Sequence, residues 1–213
     1  MTDSQPLFQL ATETPWSEAE PPWQWPTIDT PSFTHFPISI PLSEHAIGSL
    51  VGALCDPLDL KPRTNTQRIL EELADLDSYS LPGGLSITVD GERVVSHGCC
   101  SGLEDWRDLL SILDSKSPWM GHDPDPWCEF LDNNIVRFWS TGGTASERSG
   151  MHIDCSMQLV SDELANFQLV LEHTMDQLRD WLLLTGASQA NKIVETFGQS
   201  FAITTDVPLY KTI

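Results

Sequence analysis

The chain has 213 residues, of which 31 are acidic and 11 basic, so its formal net charge is −20. A chain of this size buries roughly 70% of its unfolded surface, which is enough for one domain with a substantial core. So negative a surface repels nucleic-acid phosphates and anionic membranes, and we therefore expect no direct nucleic-acid binding, no membrane binding, and a basic protein partner.

The cysteines are odd in number and irregularly spaced, which argues against a disulfide framework. They are Cys55, Cys99, Cys100, Cys128 and Cys155. The first residues have neither the cationic start nor the apolar run of a signal peptide, and no segment is long enough to span a bilayer. We therefore expect a cytoplasmic protein, bacterial in type, with reduced thiols and no cofactor. The oligomeric state is left open by the sequence.

Residues 1–33 are rich in Pro, Thr, Ser and acidic side chains, a composition that supplies little apolar burial to offset the entropy of ordering. They are predicted to form an extended or disordered acidic tail, ahead of a single domain over residues 34–213. Trp16, Trp23 and Trp25 leave two hypotheses open. The tail is either a strap that packs on the domain itself or a segment of polyproline character that docks a partner.

A short edge strand with prolines at its margins is predicted over residues 36–41. A helix should begin at Ser43 and stop at Asp56-Pro57, and a second should begin at the capping box Thr64-Asn65-Thr66-Gln67. The apolar residues of both segments recur at helical spacing and are expected to face the core. They are Ile47, Leu50, Val51, Leu54, Ile69, Leu70, Leu73 and Leu76.

The clearest hairpin signal follows residues 85–89, where apolar and polar residues alternate. Asp90-Gly91 accepts the positive φ angles of a type I′ turn, and Val94 and Val95 continue the return strand. A second capping box, residues 101–104, predicts an α-helix that ends near residue 113. Its core-facing residues are predicted to be Trp106, Leu110 and Leu113.

A second hairpin is predicted over residues 127–140, turning at Asn133-Asn134, with a further strand over 151–159. Ser161 is predicted to cap the longest helix, which Gly186 ends. A shorter helix should follow over about 188–197, and residues 201–203 and 207–209 could add a terminal edge strand. Hairpins interspersed with helices indicate an α+β fold, in which helices pack on one face of an antiparallel sheet of hairpins.

The loop from residue 117 to residue 127 concentrates acidic, aromatic and proline residues. Three prolines stiffen it, and acidic side chains stand between two indoles. One interpretation is a structural loop whose indoles fill the core. The other is a rigid acidic surface for a basic partner, because Trp is frequent at the energetic centres of interfaces. The predicted partner-binding residues are Trp119, His122, Asp123, Asp125 and Trp127.

Two sets of side chains have the chemistry of metal ligands. Zinc is bound by thiolates and imidazoles such as Cys99, Cys100, His122 and Cys155, but adjacent cysteines rarely reach one ion together, so buried free thiols are the favoured interpretation. A hydrolytic metal or an acid–base pair could use His122, Asp123, His152 and Asp154. This second set requires two distant segments to meet, and a polar sheet face is the favoured alternative.

Several short motifs follow one another along the chain, each occurring once: Gly98-Cys99-Cys100, Leu103-Glu104-Asp105-Trp106, Pro118-Trp119, Gly121-His122-Asp123-Pro124 and Val136-Arg137-Phe138-Trp139. This order resembles a set of small, uncharacterised bacterial proteins, some of which are similar to immunity proteins of toxin systems. The resemblance covers residues 80–185 and leaves the N-terminal segment unmatched. It implies no catalytic residues and adds support to an immunity role.

Three hypotheses follow from the sequence. The first is a non-enzymatic acidic binding protein, of the immunity or antitoxin type, that engages a basic partner through the loop described above. The second is a metal-dependent hydrolase that uses the His and Asp residues at positions 122, 123, 152 and 154. The third is a structural or assembly component that docks through residues 1–33.

Overall fold

The computed structural model describes residues 5–15, 21–61, 64–142 and 150–203, which form an α+β fold with antiparallel sheets. The strands are β1 (Leu7–Glu13), β2 (His35–Pro37), β3 (Gly83–Val89), β4 (Glu92–Ser96), β5 (Trp127–Leu131), β6 (Ile135–Trp139) and β7 (His152–Ser156). The α-helices are α1 (Glu44–Leu54), α2 (Thr66–Ala74), α3 (Met157–Leu184) and α4 (Ala190–Ser200). A 3-10 helix covers Leu103–Asp114.

The chain groups into two compact units. Unit 1 contains the described residues within 5–11 and 82–169, and unit 2 contains those within 12–81 and 170–203. The boundaries fall inside β1 and inside α3.

In unit 1, β3 lies between β1 and β4, and β3 and β4 form the predicted hairpin. Ile87 pairs with Val95, and Asp90 and Gly91 have φ angles of 51° and 82°. Positive φ at both turn residues is the type I′ geometry, so this part of the prediction is confirmed. The sequence analysis assigned no strand to residues 7–13, where the structure has β1.

The helix predicted from residue 101 is a 3-10 helix, and the prediction of an α-helix is wrong there. Its preceding residue, Gly102, makes no side-chain cap. Because a 3-10 helix has three residues per turn, every third side chain lies on one face. The buried residues are Leu103, Trp106, Leu109 and Ile112, whereas Leu110 and Leu113 are half-buried.

The second sheet of unit 1 has the order β5-β6-β7, with both pairings antiparallel. Asn133 and Asn134 turn the hairpin with φ angles of 66° and 58°, as predicted. The predicted extension of the last strand to residue 159 is wrong, since the strand ends at Ser156. The hydroxyl of Ser156 accepts a hydrogen bond from the Leu159 N–H at 3.2 Å, and α3 begins at Met157, so Ser161 lies inside the helix.

Unit 2 contains the predicted helical segments in their predicted order. Ser43 caps α1 by accepting from the Ala46 N–H, as expected. The cap of α2 is Asn65 rather than Thr64, because the Asn65 side chain accepts from the N–H groups of Gln67 and Arg68. After α3, Gly186 with φ 78° ends the helix, and α4 follows. The part of the terminal edge strand suggested at 201–203 is wrong, because those residues form a turn after α4, and the part at 207–209 lies outside the described residues.

The N-terminal part of unit 2 packs on the unit's own helices. The indole N–H of Trp25 donates to the Gly48 carbonyl at 2.9 Å, and the Trp25 ring meets Trp181 edge-on at 5.6 Å. Trp23 stacks on Trp25 at 5.7 Å, and its ring lies where a Cβ on Gly52 would come within 2.8 Å. Glycines on this face of α1 therefore make room for the indoles; Trp16 lies outside the described residues.

Candidate functional site

The acidic loop is held at its middle by backbone pairing with the segment that follows β4. The Gly98 N–H donates to the Met120 carbonyl at 2.7 Å, and the Cys99 N–H donates to the His122 carbonyl at 2.6 Å. The His122 N–H returns a bond to the Cys99 carbonyl at 3.1 Å. Residues 98–99 and 120–122 thus form a short antiparallel ladder.

The ends of the loop are joined as well. The Cys128 N–H at the start of β5 donates to the Ser117 hydroxyl at 3.0 Å. The loop is anchored in unit 1 by buried side chains, which include those of Pro118, Met120 and Pro126. We call residues 117–128 the braced loop. Its backbone is fixed at both ends and in the middle, which is the condition for presenting side chains at low entropic cost.

The exposed residues of the braced loop are Ser117, Trp119, His122, Asp123 and Pro124. Trp119 is 52% exposed, which is unusual for so large an apolar residue, and its ring meets the His122 ring edge-on at 5.8 Å. Asp125 is half-buried, and Trp127 is half-buried within β5. All five predicted partner-binding residues thus lie within the braced loop, and Trp127 is also the first residue of β5.

The exposed face of the second sheet carries a row of charges and a row of aromatic rings. Arg137 of β6 stands opposite Asp154 of β7 and donates to both of its carboxylate oxygens, at 2.6 and 2.8 Å. The Arg137 guanidinium lowers the pKa of the Asp154 carboxyl. In the next row, the His152 ring packs against Trp139 at 4.6 Å.

The four His and Asp residues suggested for a hydrolytic metal are not assembled into one cluster. Among the described residues, the groups of three or more ligand-type side chains within 4.8 Å of one another include His122 but not Asp123, His152 or Asp154. Both oxygens of Asp154 already accept from Arg137. Sequence reasoning missed this ion pair, although opposite charges on adjacent predicted strands are a signal that could have revealed it.

The five thiols fall into two classes. Cys55, Cys128 and Cys155 are buried, and burial raises the pKa of Cys128 and of Cys155 to about 12. Cys99 and Cys100 are exposed. The pKa of Cys99 is raised by desolvation, by the Cys100 thiol and by the Asp123 carboxylate.

No family model, curated protein or solved structure matches this chain. Among the described helices, none is both long enough and apolar enough to cross a bilayer.

Unit 2 contains a groove that sequence reasoning did not identify. Its volume is about 420 Å³, and it lies between α1 and the C-terminal part of α3. The Trp181 indole and Leu184 give it an apolar surface, and Glu44 and Asp180 contribute carboxylates. A groove of this composition suits an apolar group that carries positive charge, so it is a second candidate contact surface.

Proposed function

We propose that this chain is a non-enzymatic binding protein of the immunity or antitoxin type, which acts in the bacterial cytoplasm and inhibits a basic partner protein. The contact surface is the braced loop, with Trp119 as the apolar anchor and Asp123 and Asp125 as the acidic contacts. The observation that carries the proposal is the exposed Trp119 on a loop whose backbone is hydrogen-bonded at both ends and in the middle.

Three physical arguments support this assignment. An indole on a preorganised loop buries a large area on binding without a large loss of conformational entropy. The net charge of −20 accelerates encounter with a positively charged partner and repels nucleic acids. All five thiols are free, which suits a reducing compartment.

The neighbouring acidic residues support a contact that is both apolar and electrostatic. Asp123 is exposed beside His122, and Asp125 is half-buried two residues further along. Because exposed carboxylates act mainly on association, their removal is expected to lower the association rate more than it raises the dissociation rate. Trp119 is expected to act mainly on dissociation.

The test begins with the intact chain immobilised and exposed to a lysate of its native host at low salt. The captured protein is identified, purified and measured against variants by surface plasmon resonance. We expect a basic partner, a loss of affinity of at least about tenfold for Trp119→Ala, and a weaker salt dependence for the double variant Asp123→Asn, Asp125→Asn. Retention of the partner undiminished at high salt would contradict the electrostatic contact.

Two matched controls locate the surface. Asp59→Asn with Asp77→Asn removes the same charge from exposed sites in unit 2 and should change the salt dependence less. Glu44→Gln with Asp180→Asn alters the groove. If the groove variant loses the partner while the loop variants keep it, the assignment to the braced loop is wrong. If the partner's own activity is unchanged by saturating amounts of the chain, the inhibitor role is wrong.

A further inference from the structure

Three ligand-type side chains meet where the braced loop pairs with the segment after β4. The Cys99 Sγ lies 2.7 Å from the His122 Nδ1, and the ligand atoms of Cys99, Cys100 and His122 all lie within 4.8 Å of one another. In a tetrahedral zinc site with Zn–S distances near 2.3 Å and Zn–N distances near 2.0 Å, neighbouring ligand atoms are roughly 3.5–3.8 Å apart. Small side-chain adjustments therefore bring all three onto one ion.

The backbone explains how two adjacent cysteines serve one site. Cys99 and His122 are direct partners in the antiparallel ladder, so their side chains share a face. In an extended strand the next side chain would point to the opposite face. Cys100 instead has φ 63°, in the left-handed region, and its Sγ lies within 4.8 Å of the Cys99 Sγ and of a ring nitrogen of His122.

The chemistry of the three side chains selects the type of ion. Thiolate and imidazole ligands favour zinc and other thiophilic ions over magnesium or calcium, which prefer oxygen. The Asp123 carboxylate lies close enough to act electrostatically on Cys99, and its negative charge attracts a cation to this position. All three ligands are exposed, so a fourth coordination position faces solvent.

We propose that Cys99, Cys100 and His122 bind one thiophilic divalent ion of the zinc type, with an open fourth position. Cys155, which the sequence analysis grouped with them, is buried in β7 and does not belong to the set. The site holds the turn at Cys100 against the braced loop. It does not depend on partner binding, and it is tested on the isolated chain.

A nucleophilic role is a weaker interpretation of the same pair. A catalytic cysteine beside a histidine is held as a thiolate by a lowered pKa. The pKa of Cys99 is instead raised, by desolvation and by Cys100 and Asp123, which is the opposite of what a nucleophilic role requires.

The experiment uses the full chain, reduced and stripped of metal. Zn²⁺ is titrated against a chelator of known affinity, and Co²⁺ is added in parallel because thiolate ligands produce a sulfur-to-cobalt charge-transfer band. We expect one ion per chain, a charge-transfer band that roughly halves in Cys99→Ser or Cys100→Ser, and an affinity at least about tenfold weaker in each variant and in His122→Gln.

His152→Gln is the matched control, because it removes an exposed histidine of the same unit that lies outside the cluster. It should bind zinc like the unaltered chain. The proposal is overturned if the chain takes up no Zn²⁺, if Co²⁺ binds without a charge-transfer band, or if His152→Gln weakens binding as much as His122→Gln. Since no partner is present, these outcomes are separate from failure of the proposed function.

Discussion

Gly98 and Pro124 approach so closely that a Cβ on residue 98 would overlap the Pro124 carbonyl oxygen. The same Cβ would lie 2.5 Å from the His122 nitrogen and 2.7 Å from its carbonyl oxygen. These are backbone atoms of the braced loop and cannot rotate aside. The absence of a side chain at residue 98 is therefore what allows the loop to pair with Cys99.

Gly98→Ala is expected to separate the loop from its ladder and to lower the free energy of unfolding by about 1–3 kcal/mol, the usual cost of forcing extra atoms into a packed site. Urea denaturation measures the loss, and the fluorescence difference from a matched chain that carries Trp119→Phe isolates the Trp119 signal from those of the other tryptophans and reports the loop. The control is Gly91→Ala, whose Cβ meets no atom within 4 Å but is strained at φ 82°. It should cost about 1 kcal/mol and leave the Trp119 signal unchanged.

The 3-10 helix predicts opposite outcomes for two neighbouring leucines. Leu109 is 4% exposed, whereas Leu110 is half-buried. Leu109→Ala should lower the free energy of unfolding by about 2–4 kcal/mol because it leaves a cavity in the core, and Leu110→Ala should cost less than about 1.5 kcal/mol. Urea denaturation of both variants measures the two losses in the free energy of unfolding. A larger loss for Leu110→Ala would instead support an α-helix, in which Leu110 faces the core.

Thiol labelling should distinguish the exposed cysteines from the buried ones. In the folded chain two of the five thiols, those of Cys99 and Cys100, should react with a small alkylating reagent, and all five should react in denaturant. Because its pKa is raised, Cys99 should react more slowly at neutral pH than an ordinary exposed thiol, and its rate should rise with pH into the alkaline range. Mass spectrometry of labelled peptides gives the order in which the five thiols react. Early labelling of Cys128 would contradict the prediction.

The Arg137–Asp154 pair should make stability depend on pH in the acid range. The pKa of Asp154 is lower in the folded chain than in the unfolded chain, so its contribution is present above the unfolded pKa of about 3.9 and is lost as pH falls through the folded pKa. Asp154→Asn should lower Tm by only about 1–3 °C at neutral pH, since the carboxylate is 42% exposed. The difference from the unaltered chain should vanish well below pH 4. A difference that persists there would assign the effect to packing.

Strong local signals explain which elements could be predicted. The Asp90-Gly91 turn, the Ser43 cap and the Gly186 helix end each rest on one or two residues whose conformational preference is decisive. Residues 103–112 show the limit: apolar side chains recur every three residues there, but a spacing of three also occurs in α-helices, and the α-helix is the far more frequent structure. β1 was missed because its apolar residues lie within a segment whose average composition is polar.

The braced loop could be located from its prolines and indoles, but not its attachment. The pairing of Cys99 with His122 joins residues 23 positions apart, and no local pattern encodes that register. The sequence therefore groups Cys99, Cys100 and His122 with Cys155 and disfavours a zinc site, since adjacent cysteines rarely reach one ion together. The left-handed conformation of Cys100, which resolves that objection, is visible only in the folded chain.

The packing of Trp23, Trp25 and Trp181 also provides unit 2 with an optical signature. Indoles stacked at 5.7 Å and crossed edge-on at 5.6 Å are expected to couple their electronic transitions and to contribute a circular dichroism signal. All three indoles belong to unit 2. The coupled signal should therefore be lost when unit 2 unfolds, which can be followed without any label on the chain.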